Sequence, residues 1–160
     1  MSDVVDVRYK KLGGWNYVVV LPVEYVTGIY GYEFRITYKH PESDEEKLLA
    51  QLKAGGRLFV YEGYAWDGAS GPAIDTPNWM DPSLVHDIFY QALRQRLIPQ
   101  AAASRKVREI IRKRADNLMY EMLRQRGMHW LRAWLSHFFV RRYAGFAADP
   151  NFDLDHWRGR

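Results

Sequence analysis

Three short strings carry side chains able to do acid–base or metal chemistry: Val85-His86-Asp87-Ile88-Phe89-Tyr90, Arg114-Ala115-Asp116-Asn117-Leu118-Met119-Tyr120, and Tyr64-Ala65-Trp66-Asp67-Gly68-Ala69-Ser70-Gly71-Pro72. In the first, an imidazole and a carboxylate interrupt what otherwise reads as the apolar side of a helix. Buried polar groups are costly unless paired, so such side chains are partnered, exposed or used. At about 100° per residue His86 and Asp87 point to adjacent faces, whereas His86 and Tyr90, four apart, share one. The dipeptide can therefore address two different partners.

For His86 the natural partner is Asp116, which abuts the apolar stripe of a second helix. A carboxylate that accepts from one ring nitrogen fixes the tautomer and leaves the other nitrogen as a base. That chemistry needs an imidazole nitrogen within about 2.6–3.2 Å of an Asp116 oxygen, with Asp87 pointing elsewhere. Tyr90 or Tyr120 could hydrogen-bond the same carboxylate. For Asp87 the natural partner is the Gly-containing loop, whose carbonyls would join one carboxylate in a hard-oxygen site suited to calcium, with Asp67 and Ser70 as further donors. Magnesium demands stricter geometry, and zinc is poorly served by a chain with no Cys and one well-placed His. The same residues also fit a purely structural account. Asp87 can favour the positive end of its helix or pair with Arg94, His86 and Asp116 can tie two helices together, and Asp67-Gly68 can be a turn.

The elements that must position these groups show in the hydrophobic periods. Up to about residue 63 the chain is rich in Val, Tyr, Ile and Phe with period-two alternation, as in Glu33-Phe34-Arg35-Ile36-Thr37-Tyr38. Strands are expected over 4–10, 15–25, 29–39 and 57–63. Turns are expected at Gly13-Gly14, Gly28, Gly31 and Gly55-Gly56, with a polar loop over 40–46, and Pro22 suggests an edge position or a bulge. Asp81-Pro82 reads as an N-cap followed by the first helical residue, opening a helix that runs up to Pro99. A second helix spans about Ser104 to Arg126, with Gly127 ending it, and a third runs from about His129 to Tyr143. Strands followed by helices predict an α+β fold: a small N-terminal antiparallel β-sheet, then a three-helix segment containing an antiparallel helix pair. One domain is expected over 1–146, made of a β-rich part (1–63), a functional loop (64–81) and a helical part (82–146). A polar tail over 147–160 follows, with Phe152 and Trp157 as possible anchors.

A chain of 160 residues can bury a real core without a staple. The absence of Cys excludes disulfides, thiolate metal sites and cysteine nucleophiles. The start, MSDVVDVRYKKLGG, lacks the order of a signal peptide, so the expected location is the cytoplasm where the protein is made. The net charge of +4 hides an asymmetry. Residues 1–81 carry 8 Lys and Arg against 12 Asp and Glu, and residues 82–160 carry 15 against 7, so the halves stand at −4 and +8. A basic helical half suits an anionic membrane, an acidic protein or nucleic acid, or is simply a solvated face. Nucleic acid ranks last, because no recognition motif accompanies the charge. The third helix carries Trp130, Leu131, Trp134, Leu135, Phe138 and Phe139 on one broad face, more apolar than a surface helix needs. It is expected to close the core or to dock on a protein or the membrane interface.

Two resemblances follow from these strings. Trp66-Asp67-Gly68-Ala69-Ser70-Gly71-Pro72, His86-Asp87-Ile88-Phe89-Tyr90 and Ala115-Asp116-Asn117-Leu118-Met119-Tyr120 together closely resemble an uncharacterised bacterial and phage family of unknown function, numbered one-three-five-three among such domains, over roughly residues 57–145. That resemblance implies a phage or prophage origin and, with it, a possible place in the virion or tail. More loosely, the order looks like phospholipase A2, in which a calcium loop precedes a His-Asp-x-x-Tyr helix and a supporting Asp comes from an antiparallel helix. The likeness implies that His86 activates water, Asp87 binds calcium, Asp116 orients the imidazole, and the carbonyls of Trp66, Gly68 and Ser70 complete the ion's shell. The lipase's cysteines beside the His-Asp pair are absent here, and the N-terminal sheet has no counterpart in it. The expected function is a water-activating, calcium-dependent hydrolase of a lipid or another ester, and its rival is a virion or tail-associated structural protein without turnover.

Overall fold

The computed structural model describes residues 6–11, 17–68 and 76–151. It is an α+β fold, with seven strands among the described residues preceding the helices. The strands are β1 (Tyr9–Lys11), β2 (Tyr17–Val19), β3 (Val23–Val26), β4 (Phe34–Lys39), β5 (Glu46–Lys53), β6 (Arg57–Val60) and β7 (Ala65–Trp66). Two antiparallel sheets form where one was expected, ordered β1-β2-β7 and β3-β6-β5-β4. Pro22 is the reason a single long strand over 15–25 does not form. A residue without an N–H cannot continue a ladder, and the chain leaves β2 in one sheet and enters β3 at the edge of the other.

In the larger sheet, alternation sends Phe34 and Ile36 inward opposite Leu52 and Ala50, and Leu58 and Val60 extend the same buried face. Strand β5 was not expected, because its charged start, Glu46-Lys47, continues the polar run of the preceding loop. A register shift between Ile36 and Thr37 keeps the β4–β5 pair aligned despite one extra residue.

Helix α1 (Pro77–Arg94) lies between this sheet and helix α3 (Arg105–Gln125). That placement explains its composition, since a helix covered on both sides is apolar nearly all round. Leu84, Val85, Ile88, Phe89, Ala92 and Leu93 are all buried, and the Phe89 ring meets Phe34 of the sheet edge-on at 5.6 Å. The helix starts five residues earlier than the Asp81-Pro82 signal implied. Thr76 is the N-cap and Pro77 the first helical residue, the same cap-then-proline pattern placed upstream. Asp81 is therefore not a cap but a buried helical residue.

Both long helices end in the same backbone motif. Past α3, Gly127 takes a positive φ of 79°, the Met128 N–H donates to the Leu123 carbonyl, and the Gly127 N–H donates to Arg124. Past α1, Arg96 fills the equivalent left-handed position at φ 57°, with Leu97 donating to Ala92 and Arg96 to Leu93. With arginine in place of glycine no sequence signal marks the end, and the helix stops short of Leu97. Between them sits a short helix α2 (Pro99–Ala103), so the helical part has four helices. Helix α4 (Trp130–Tyr143) packs on α3 and is followed by a 3-10 turn at Gly145–Ala148. That turn is held against α1, with Ala148 buried and Arg94 donating to the Ala147 carbonyl at 2.7 Å. The expected start of a tail at residue 147 thus falls inside a packed turn, while Phe152 and Trp157 lie outside the described residues. No helix among the described residues is long and apolar enough to cross a membrane.

Candidate active site

The α1–α3 contact brings His86 and Asp116 together from thirty residues apart. His86 Nε2 lies 3.1 Å from Asp116 Oδ1, inside the separation an oriented imidazole requires. Tyr90, one turn after His86, donates its hydroxyl to the same oxygen at 2.7 Å, and its ring lies 4.0 Å from the imidazole. Asp116 is fully buried, and its second oxygen faces two guanidinium groups that sequence reasoning did not single out. Arg112 Nη1 donates at 3.2 Å from one turn earlier on α3, and Arg141 Nε approaches to 3.0 Å from α4. Arg112 is held in turn by Glu109 at 3.0 Å. Spacing was a signal that could have found Arg112, because it stands at i−4 from Asp116. Nothing in the sequence pointed to Arg141, whose place depends on how α4 folds back.

This company sets the ionisation of the cluster. Burial opposes a charged carboxylate, but the His86 and Tyr90 hydrogen bonds and the Arg112 charge outweigh it and hold Asp116 below its ordinary range. Burial likewise disfavours a charged His86, yet the Asp116 and Asp87 carboxylates prevail and raise its pKa above 6.5. Burial, then the adjacent Asp116 charge, pushes the Tyr90 hydroxyl up, so it acts as a hydrogen-bond donor.

Asp87 sits on the other side of the ring, with its Oδ1 3.7 Å from His86 Nδ1. That separation is too long for a direct hydrogen bond and leaves Nδ1 as the nitrogen not engaged by Asp116. The Asp87 carboxyl is raised by burial, lowered by His86 and Arg94, and raised again by Asp67. Asp67, on the segment after β7, is thus an electrostatic neighbour of Asp87. The segment is anchored at its N-terminal end. The Trp66 indole N–H donates to Ser83 Oγ at 3.1 Å, its ring packs 5.6 Å from Tyr17, and the Tyr64 hydroxyl donates to Gln91 at 2.8 Å. Gly68 is needed where it stands, since its φ of 76° is a conformation that side-chain-bearing residues rarely adopt. Ser70 lies outside the described residues.

Tyr120 is not brought to this carboxylate. Its ring lies 5.6 Å from His137 of α4, and His137 is tied to Asn117 at 3.0 Å. Four residues apart, the two side chains differ by about 40° around α3. Asp116 and Tyr120 share a stripe, but the Asp116 side chain is already met by α1, while the larger tyrosine continues toward α4.

As a test of fit for calcium, Asp67 and Asp87 supply two carboxylates, and their mutual repulsion is what a hard cation relieves. Among the described residues no group of three or more His, Asp or Glu side chains converges as a metal site. No family model, curated protein or solved structure matches the chain.

Proposed function

We propose that this is a phage-encoded hydrolase in which His86 activates water against a lipid or another carboxylic ester. The observation that carries the proposal is the two-sided setting of the imidazole. One nitrogen is fixed by a fully buried carboxylate, and the other lies beside a second, partly exposed carboxylate at 3.7 Å. In the neutral ring, Nε2–H donates to Asp116 and the Nδ1 lone pair accepts a proton from water. The hydroxide so formed adds to the ester carbonyl, and the proton on Nδ1 then passes to the departing alkoxide. Asp116, with Tyr90 and the two arginines, holds the ring and stabilises the imidazolium that forms in between. Calcium belongs to the proposal as an ion that Asp87 and Asp67 would hold, and it would supply Lewis-acid polarisation of the ester carbonyl. The phage origin rests on the motif resemblance alone.

The test is release of fatty acid or alcohol from a panel of phospholipid and simple ester substrates, with calcium and with chelator. A general base contributes about 10²–10⁴-fold, so His86→Ala should lower the rate by at least ~10². An unchanged rate in that variant, or no turnover by the wild-type protein across the panel, removes the assignment. A second reading, a virion-associated protein without turnover, is favoured by one observation. Asp116 is wholly buried among groups from α1, α3 and α4, which also suits a lock for three helices.

A further inference from the structure

We propose that the outer face of α4 docks on an anionic phospholipid bilayer. Among the described residues helix α4 packs through one side: Ala133 is buried and Val140 partly so, with His137 and Arg141 turned to Asn117 and Asp116 of α3. At 100° per residue Leu131, Leu135, Phe138 and Phe139 face away from that side, and Trp130 and Trp134 line its border. These remain 41–57% exposed, an unusual run of large apolar side chains for a surface helix. The aromatic rings are ordered against one another. Trp134 stacks on Phe138 at 5.7 Å, and Phe139 on Tyr143 at 5.9 Å.

Charge selects the occupant. From residue 122 to residue 148 the chain has five arginines and no acidic residue; Arg132 borders the apolar arc and Arg142 lies at its C-terminal end, both in exposed positions. Trp, Phe and Leu on one face with arginine beside them is the composition of a helix lying in a membrane interface. A second copy docking through the same face around a two-fold axis would set like arginines against each other. An anionic headgroup layer meets the same charges favourably, at about fivefold in affinity per Arg. Arg141 adds a consequence. It joins α4 to Asp116, and its Nη2 donates to the Lys113 carbonyl at 3.0 Å, so the docking helix is tied to the carboxylate that supports the imidazole.

Membrane docking goes beyond the hydrolase proposal and is tested without it. The probe is sedimentation of the full chain with vesicles of ether-linked phosphatidylglycerol and phosphatidylcholine in equal parts, against ether-linked phosphatidylcholine alone. These lipids have no ester to cleave, so binding is read whatever the turnover assay shows. The wild-type chain should co-sediment with the anionic vesicles, with a blue shift of Trp emission. Arg142→Gln should weaken partition about fivefold, and the double variant W134E/F138E should lose at least ~10-fold while keeping its thermal melting profile. Failure to bind, or equal binding to both vesicle types, overturns the proposal. So does a wild-type dimer in analytical ultracentrifugation that W134E/F138E converts to monomer, which would assign the face to a second copy.

Discussion

Replacing Asp116 is the sharpest probe of how the helical half is held. Its carboxylate accepts from His86 at 3.1 Å and Tyr90 at 2.7 Å on one oxygen, and faces Arg112 at 3.2 Å and Arg141 at 3.0 Å on the other. Asp116→Ala leaves guanidinium and imidazole groups buried without their counter-charge. Breaking a buried pair in this way costs about 3–5 kcal/mol, against a total of roughly 5–15 kcal/mol for an ordinary domain. For a chain of this size the melting temperature should fall by roughly 6–20 °C. Asp116→Asn keeps an acceptor for His86 and Tyr90 and loses only the ionic part, so it should fall between wild type and Ala. Urea denaturation across pH adds a second check. Because the folded carboxyl is held below 3.8, its contribution is present above that value and lost as pH falls through the lower folded pKa. The gap between wild type and Asp116→Asn should therefore narrow below about pH 3.8. A cost under ~1 kcal/mol for Asp116→Ala, or a gap to Asn indifferent to acid, would show that the cluster is not what joins these helices.

Further outcomes follow from the same electrostatics. His86 is raised above 6.5, so its stabilising charge is present below pH 6.5 and lost as pH rises through the folded value. If it is the base, the hydrolysis rate should climb over that same alkaline window. Asp87→Asn removes a charge that raises His86, so it should move the climb to lower pH, and a rate profile left in place would separate Asp87 from the imidazole. Asp81→Ala should destabilise by about 3–5 kcal/mol in urea, because the buried carboxylate accepts from the Val7 N–H at 2.8 Å and from Tyr25 and pairs with Arg126 at 3.1 Å. Surface-like behaviour of that variant would contradict its placement inside α1.

How far the sequence disclosed these sites depended on whether the decisive contact was local. The α+β order, the extent of α3 and the face shared by His86 and Tyr90 come from period and spacing within one element, and these were readable. The start of α1 was misplaced because Asp81-Pro82 is the stronger cap signal of the two, while the helix opens at Thr76-Pro77. The choice between them rests on Tyr25, Val7 and Arg126, which fold around Asp81 from distant parts of the chain. The end of α1 was hidden because Arg96 occupies a position that glycine usually marks. Arg141 was beyond reach for the same reason as Asp81, since its partner is supplied by tertiary folding and not by helical spacing.

The two accounts of the His86 cluster make opposite demands on one side of the ring. A lock needs only the Nε2 side, where Asp116 and its arginines already account for every charge. It gives no reason for a carboxylate at 3.7 Å from Nδ1, and that carboxylate is itself raised by burial and by the charge of Asp67. Burial first, and repulsion from Asp67 after it, raise the Asp87 carboxyl, and a raised acid destabilises the native state above its ordinary range. Sites that retain such repulsion tend to use it. Asp87→Asn should on this ground stabilise the chain to urea near neutral pH while impairing turnover. A stabilised variant with undiminished turnover would show the repulsion to be idle, and a destabilised one would make Asp87 part of the lock.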